Sequence, residues 1–176
     1  EEIESTNKKK DDYIKESQIQ WYKETVERIN VIANKTVKSI VFNHIPLQEF
    51  NKAYEEAMEG STEAELLYGS KLESVCSSGH NSGFFDVMLD YGSTQAFISG
   101  HDHVNDFAVK YKGIILAYNQ NSGYSSYNIV TKKLSDTLIQ GFTVYTIDKD
   151  GALTIKTYQN ADLYPDLQEK ILELYK

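Results

Sequence analysis

Apolar residues recur at helical spacing from Ile19 through Tyr22, Val26 and Ile29 to Ala33, with polar residues between them. That period predicts an amphipathic helix over about 16–33, with Ser17 and Gln20 three residues apart as a capping box. The pattern then changes. Val37-Lys38-Ser39-Ile40-Val41-Phe42 is short, β-branched and largely apolar, which predicts a buried strand. Pro46 is placed to open a second helix, and Leu47–Met58 continues as an acidic amphipathic run to the break at Gly60-Ser61. Glu63–Leu72 reads as another short helix, Ser74–Gly83 as a polar loop and Phe84–Leu89 as a helical turn. Gln95–Ile98 is a second buried strand. Beyond it the chain becomes β-rich, with strands at Phe107–Tyr111 and Ile114–Tyr118 around a turn at Gly113. Phe142–Ile147 and Ala152–Tyr158 flank Asp148-Lys149-Asp150-Gly151, a hairpin turn, and Asp166–Tyr175 closes as a helix. Helices and strands interleave in this order, so the expected class is α/β, with residues 1–12 a charged tail or linker and 13–176 one domain or part of one.

Composition narrows the function classes. The 176 residues carry a net charge of −8 and a single arginine, Arg28, so no basic stripe exists to track a polynucleotide. No apolar run approaches the ~20 residues that span a bilayer. One cysteine, Cys76, excludes an internal disulfide framework and fits a reducing compartment such as the cytoplasm. The chain opens without a signal-like segment, so targeting is not read from it.

Histidines supply the candidate chemistry. His101 and His103 stand one residue apart behind Gly100, and in an extended segment side chains two apart share a face. Gly100 is expected to relieve crowding at that turn. His44 follows the first predicted strand just as His101 follows the second, which places imidazoles at two strand tips, a common position for α/β active-site groups. Three unrelated histidines are the plain alternative. Three imidazoles also fall short of a dinuclear centre, which needs a bridging carboxylate.

Phe42-Asn43-His44-Ile45-Pro46-Leu47 and Ser99-Gly100-His101-Asp102-His103 resemble the last two motifs of the calcineurin-like metallophosphoesterases. Val104-Asn105-Asp106-Phe107, Gly123-Tyr124 and the upstream Gln20-Trp21 resemble the branch related to purple acid phosphatases. The likeness covers roughly Ser17 to Ile147. It implies that His44 and His101 bind one ion and His103 another, the pair of Fe, Mn or Zn ions sitting ~3.5–4 Å apart and activating a water against a phosphate ester. Metals would also supply the positive charge that the scarcity of arginine denies the site. Asn105 and Asp106 are expected to orient the histidines or to cap the loop, and Tyr124 to line the phosphate pocket or simply to pack.

The chain departs from the family's opening. D-x-H, G-D and G-N-H-[DE], which carry the bridging aspartate, the asparagine ligand and the histidine that assists the leaving group, are not found in it. The expectation is therefore the C-terminal half of a four-layer αββα domain, with little phosphatase activity alone and a bare apolar sheet face that favours a homodimer. Two other functions stay open. One is a noncatalytic, degenerate module that binds a partner or a single ion; the other is a mononuclear three-histidine zinc hydrolase. Weaker candidates are His80, read as a loop histidine, Cys76, which lacks a basic neighbour in sequence, and Asp148-x-Asp150-Gly151, which starts like a calcium loop but has Gln159 where that loop needs glutamate.

Overall fold

A computed structural model describes residues 12–123 and 140–174. Helix α1 (Glu16–Ala33) buries Ile19, Tyr22 and Val26, the stripe that the helical period marks. Its cap differs from expectation. The Lys15 N–H donates to the Gln18 side chain at 2.8 Å, so the chain enters the helix two residues before Ser17. Asn34 ends it with φ 50, and the amides of Asn34 and Lys35 fold back onto the carbonyls of Val31 and Asn30.

Strands β1 (Ser39–Phe42), β2 (Ala64–Tyr68), β3 (Thr94–Ser99), β4 (Ala108–Tyr111) and β5 (Ile114–Tyr118) make one mixed sheet in the order β1-β3-β5-β4-β2. β1, β3 and β5 run parallel, while β4 pairs antiparallel with both β5 and β2. Helices α2 (Glu49–Met58) and α3 (Phe84–Tyr91) lie between the strands in sequence. Together with α1 they cover one face, where Phe50, Phe84, Phe97, Phe107, Tyr111 and Tyr118 form the main core. The parallel neighbours β1 and β3 are joined by a long crossover that carries α2 and α3.

β2 corrects the sequence expectation of a helix over 63–72. Ala64, Glu65 and Leu66 pair with Tyr111, Lys110 and Val109. Glu and Leu favour a helix locally, but a ladder with a buried strand far along the chain satisfies the same backbone groups and sets the outcome. α2 likewise begins at Glu49 rather than Leu47, with Pro46 ahead of it. The charged tail expected over 1–12 falls, except for Asp12, outside the described residues.

Strands β6 (Gly141–Ile147) and β7 (Leu153–Gln159) form an antiparallel hairpin. Tyr145, Leu153 and Ile155 pack on the second face of the large sheet, against Ala96, Ile98, Ala108 and Ala117. Small side chains in the sheet let the hairpin approach closely. Short helices α4 (Asn160–Leu163) and α5 (Pro165–Leu174) follow. The architecture is the expected mixed α/β half-sandwich, helices on one face and strands on the other. Among the described residues the second face is not bare, as the sequence suggested, but it is incompletely covered: Phe42 meets Tyr145 edge-on at 5.5 Å and remains 59% exposed.

Candidate metal centre and its loop

The parallel register brings the two histidine segments together. β1 and β3 end side by side, Phe42 opposite Ile98, so His44 and His101 leave neighbouring strand tips. The His44 carbonyl ties the tips: it accepts from the Ser99 hydroxyl at 2.7 Å and from the amides of Gly100 and His101 at 3.2 and 3.1 Å. The imidazoles follow their backbones. His44 Nε2 lies 3.2 Å from His101 Nδ1, with the rings edge-on at 5.0 Å between centroids.

His103 enters differently. Residues 101–104 bend and turn instead of continuing the strand, so the shared-face argument for His101 and His103 does not apply. Gly100 is not sterically required either; a Cβ there would meet only Asn119 Cβ, at 4.0 Å. Among the described residues, no group of three or more His, Cys, Asp or Glu side chains is gathered to hold a metal ion.

The turn is held from inside by Asp102, to which the sequence reading assigned no role. Asp102 is 3% exposed, accepts from the Cys76 amide at 3.1 and 3.2 Å and takes a very short hydrogen bond from the Tyr118 hydroxyl on β5. Burial drives the Tyr118 hydroxyl well above its ordinary pKa, and the Asp102 charge adds to the effect. Asn105 and Asp106 also face inward along the chain. Asn105 Oδ1 accepts from the amides of Leu72 and Glu73 at 2.9 and 3.0 Å, and Asp106 Oδ1 from that of Ser70 at 2.7 Å. Glu73 returns the favour, accepting from the Val104 amide at 3.1 Å. Segment 69–76 is thus zipped to loop 102–106. Burial raises the Asp106 pKa, and the Ser70 hydrogen bond opposes the rise. The only sequence signal for this zipper was the density of Asp and Asn after the histidines.

The remaining candidates separate. Tyr124 lies outside the described residues. Cys76 is exposed, its amide committed to Asp102. Asp148 caps the β6–β7 turn, accepting from the amides of Asp150 and Ala152 at 2.8 and 2.9 Å, as a hairpin requires. His80 is not an isolated loop residue. It is exposed in its loop, meets Tyr13 tilted at 4.4 Å between ring centroids and lines a cavity of about 240 Å³ that His44 also lines. No helix among the described residues is long and apolar enough to cross a membrane.

Three curated relatives from Arabidopsis thaliana match the chain. "Probable inactive purple acid phosphatase 14" is 34% identical over 160 residues, covering 86% of this chain and 38% of the relative. "Probable inactive purple acid phosphatase 29" is 32% identical over 123 residues, 66% of this chain and 30% of the relative. "Probable inactive purple acid phosphatase 28" is 31% identical over 120 residues, 65% and 27% respectively. The chain therefore spans about a third of the length of the curated relatives it matches. No protein-family model matches it, and no solved structure does.

Proposed function

Because the chain is related to the purple acid phosphatase branch of the calcineurin-like metallophosphoesterases, we propose that it forms the His44–His101 corner of a phosphoesterase centre. The 3.2 Å between the two ring nitrogens carries the proposal. Two nitrogens bound ~2.0–2.1 Å from one tetrahedral ion stand about 3.3–3.4 Å apart, so the separation matches a shared ion, toward which both rings would turn out of their present hydrogen bond. His103, one turn further along the same loop, would serve a second ion. Fe, Mn and Zn all accept imidazole. Bound there, such ions would clamp phosphate oxygens and acidify a water for attack on a phosphate mono- or diester.

The chain's own residues would position this corner. The His44 carbonyl holds both strand tips in register, while Asp102, Asn105 and Asp106 fix the loop from beneath. The motifs that carry the bridging aspartate and the leaving-group histidine in that family are not found in this sequence, so residues 13–176 would act as part of a domain. The expected result is no turnover of p-nitrophenyl phosphate by the purified 176-residue chain with Fe, Mn or Zn. Zinc titration should show binding that His44→Ala and His101→Ala each abolish. Hydrolysis at rates typical of intact enzymes, or zinc binding indifferent to both substitutions, overturns the proposal.

A second reading, a noncatalytic module, is favoured by the word "inactive" in the names of all three relatives. A longer polypeptide that adds D-x-H and G-N-H-[DE] segments separates the two. Hydrolysis of the ester by that polypeptide supports the phosphoesterase centre, and its failure supports the module.

A further inference from the structure

The cavity beside His44 is built from three separate parts of the chain. Tyr13 comes from the approach to α1, Asn43 and Gln48 from either side of Pro46, and His80 from the loop between β2 and α3. Hydrogen bonds fix that loop to the start of α2. Gln48 Nε2 donates to the Ser78 carbonyl at 2.8 Å, and the Ser78 hydroxyl accepts from the His80 amide at 3.1 Å. Asn81 donates to Glu49 at 2.7 Å while accepting from the Gly83 amide at 2.9 Å. His80 is therefore held in place by backbone and neighbour contacts, and its ring is left to face Tyr13.

The contents of the wall select a ligand class. No Lys or Arg lines the cavity among the described residues, and the Asp12 carboxylate at its rim is paired with Lys15 at 2.5 Å, so the wall offers no cation of its own to hold a second anionic group. The Tyr13–His80 pair, 4.4 Å between centroids and tilted by 55°, lines the wall with two aromatic rings that can meet a ring edge-on, while the Lys15 ammonium sits 3.5 Å from the centre of the Tyr13 ring. A volume of about 240 Å³ equals roughly eight waters at ~30 Å³ each, the size of one ring substituent. His44 joins this cavity to the imidazole pair.

We propose that the cavity is the subsite for an uncharged, ring-bearing alcohol portion of a phosphate ester whose phosphoryl group lies at His44 and His101, with Tyr13 and His80 as specificity-determining contacts. The assignment rests on the phosphoesterase reading for the identity of the phosphoryl end, while the ring subsite is testable by itself.

NMR titration of the zinc-loaded 176-residue chain tests it with four probes: p-nitrophenyl phosphate, p-nitrophenol, glycerol 2-phosphate and inorganic phosphate. The two ring probes are expected to shift the Tyr13 and His80 ring signals, and the two ringless probes to leave them unmoved. His80→Gln and Tyr13→Leu, both at exposed positions, should each weaken p-nitrophenyl phosphate about three- to ten-fold, the scale of a lost aromatic contact, without changing inorganic phosphate. Ring probes that leave Tyr13 and His80 unmoved, or variants that bind p-nitrophenyl phosphate as the parent does, overturn the subsite even where phosphate shifts His44 and His101. Ring probes that shift Tyr13 and His80 while inorganic phosphate leaves His44 and His101 untouched uphold the subsite and defeat the phosphoesterase reading.

Discussion

Replacing Asp102 with alanine should destabilise the fold more than any change at the histidines it separates. The carboxylate is 3% exposed and serves two donors, the Cys76 amide and the hydroxyl of a fully buried Tyr118. Alanine leaves the buried Tyr118 hydroxyl without its acceptor, at about 1–3 kcal/mol, and takes an ordinary hydrogen bond of about 0.5–1.5 kcal/mol from the amide of the exposed Cys76, so the substitution should cost about 1.5–4.5 kcal/mol. That is a large share of a typical domain stability of about 5–15 kcal/mol. Tyr118→Phe removes one charge-assisted bond and should cost about 1.5–3 kcal/mol. Combined, the two substitutions lose only the bond to the Cys76 amide, so their effects should fall short of additivity by about 2.5–6 kcal/mol. Urea unfolding followed by far-ultraviolet circular dichroism, with an unchanged slope against denaturant, reads each value. Because Asp102 sits between His101 and His103, the histidine ring signals should also move in Asp102→Ala. A loss below about 0.5 kcal/mol, the range of ordinary surface substitutions, refutes the claim that this carboxylate holds the loop. So does simple additivity of the two changes.

Gly69 has φ +79, and a Cβ there would sit 2.3 Å from the Asp106 carbonyl oxygen. Gly69→Ala should cost about 1–2 kcal/mol for the left-handed backbone and about 1–3 kcal/mol more for the clash. Gly60→Ala, with the same φ and nothing within 4 Å, should cost only the backbone part; equal losses in thermal unfolding would remove the zipper from the explanation. The Tyr68 hydroxyl is buried without a hydrogen-bond partner among the described residues, and burial, helped by the Asp106 charge, pushes its pKa up to about 12. The unfolded chain ionises first, near the ordinary value of 10.0, so this group's contribution is intact below pH 10 and is lost as pH rises toward about 12. Tyr68→Phe should stabilise the protein at neutral pH and flatten that alkaline decline; a parallel decline in the variant, measured by denaturant midpoints across pH, counts against it. Phe42, 59% exposed beside the hairpin, leaves an apolar edge suited to a second copy. Light scattering of concentrated protein should show mass above the monomer that Phe42→Ser reduces, and a strict monomer at all concentrations ends that argument.

Most of the fold was legible in local pattern. The helical stripe of α1, the apolar runs of β1, β3 and β5 and the turn chemistry of the β6–β7 hairpin are encoded within a few residues of one another, because burial period and turn geometry are short-range properties. The strand-tip placement of His44 and His101 followed from those runs. The relation of the strands did not. Only the parallel pairing of β1 with β3 sets the two rings 3.2 Å apart, and it depends on helices that cross over in between. β2 was misread as a helix for the same reason: its partner, β4, lies more than 40 residues away.

By itself the sequence determined which residues are apolar, where the chain turns and which side chains carry metal-ligand chemistry. The tertiary structure alone decided what those side chains face. Asp102 reads as a spacer between two histidines, yet the fold buries it against Tyr118 on β5 and the amide of Cys76. His80 reads as a loop residue, yet Gln48 and Ser78 set it on the cavity that His44 shares. Hydrogen bonds and cavity walls join residues distant in sequence, and no local period records them.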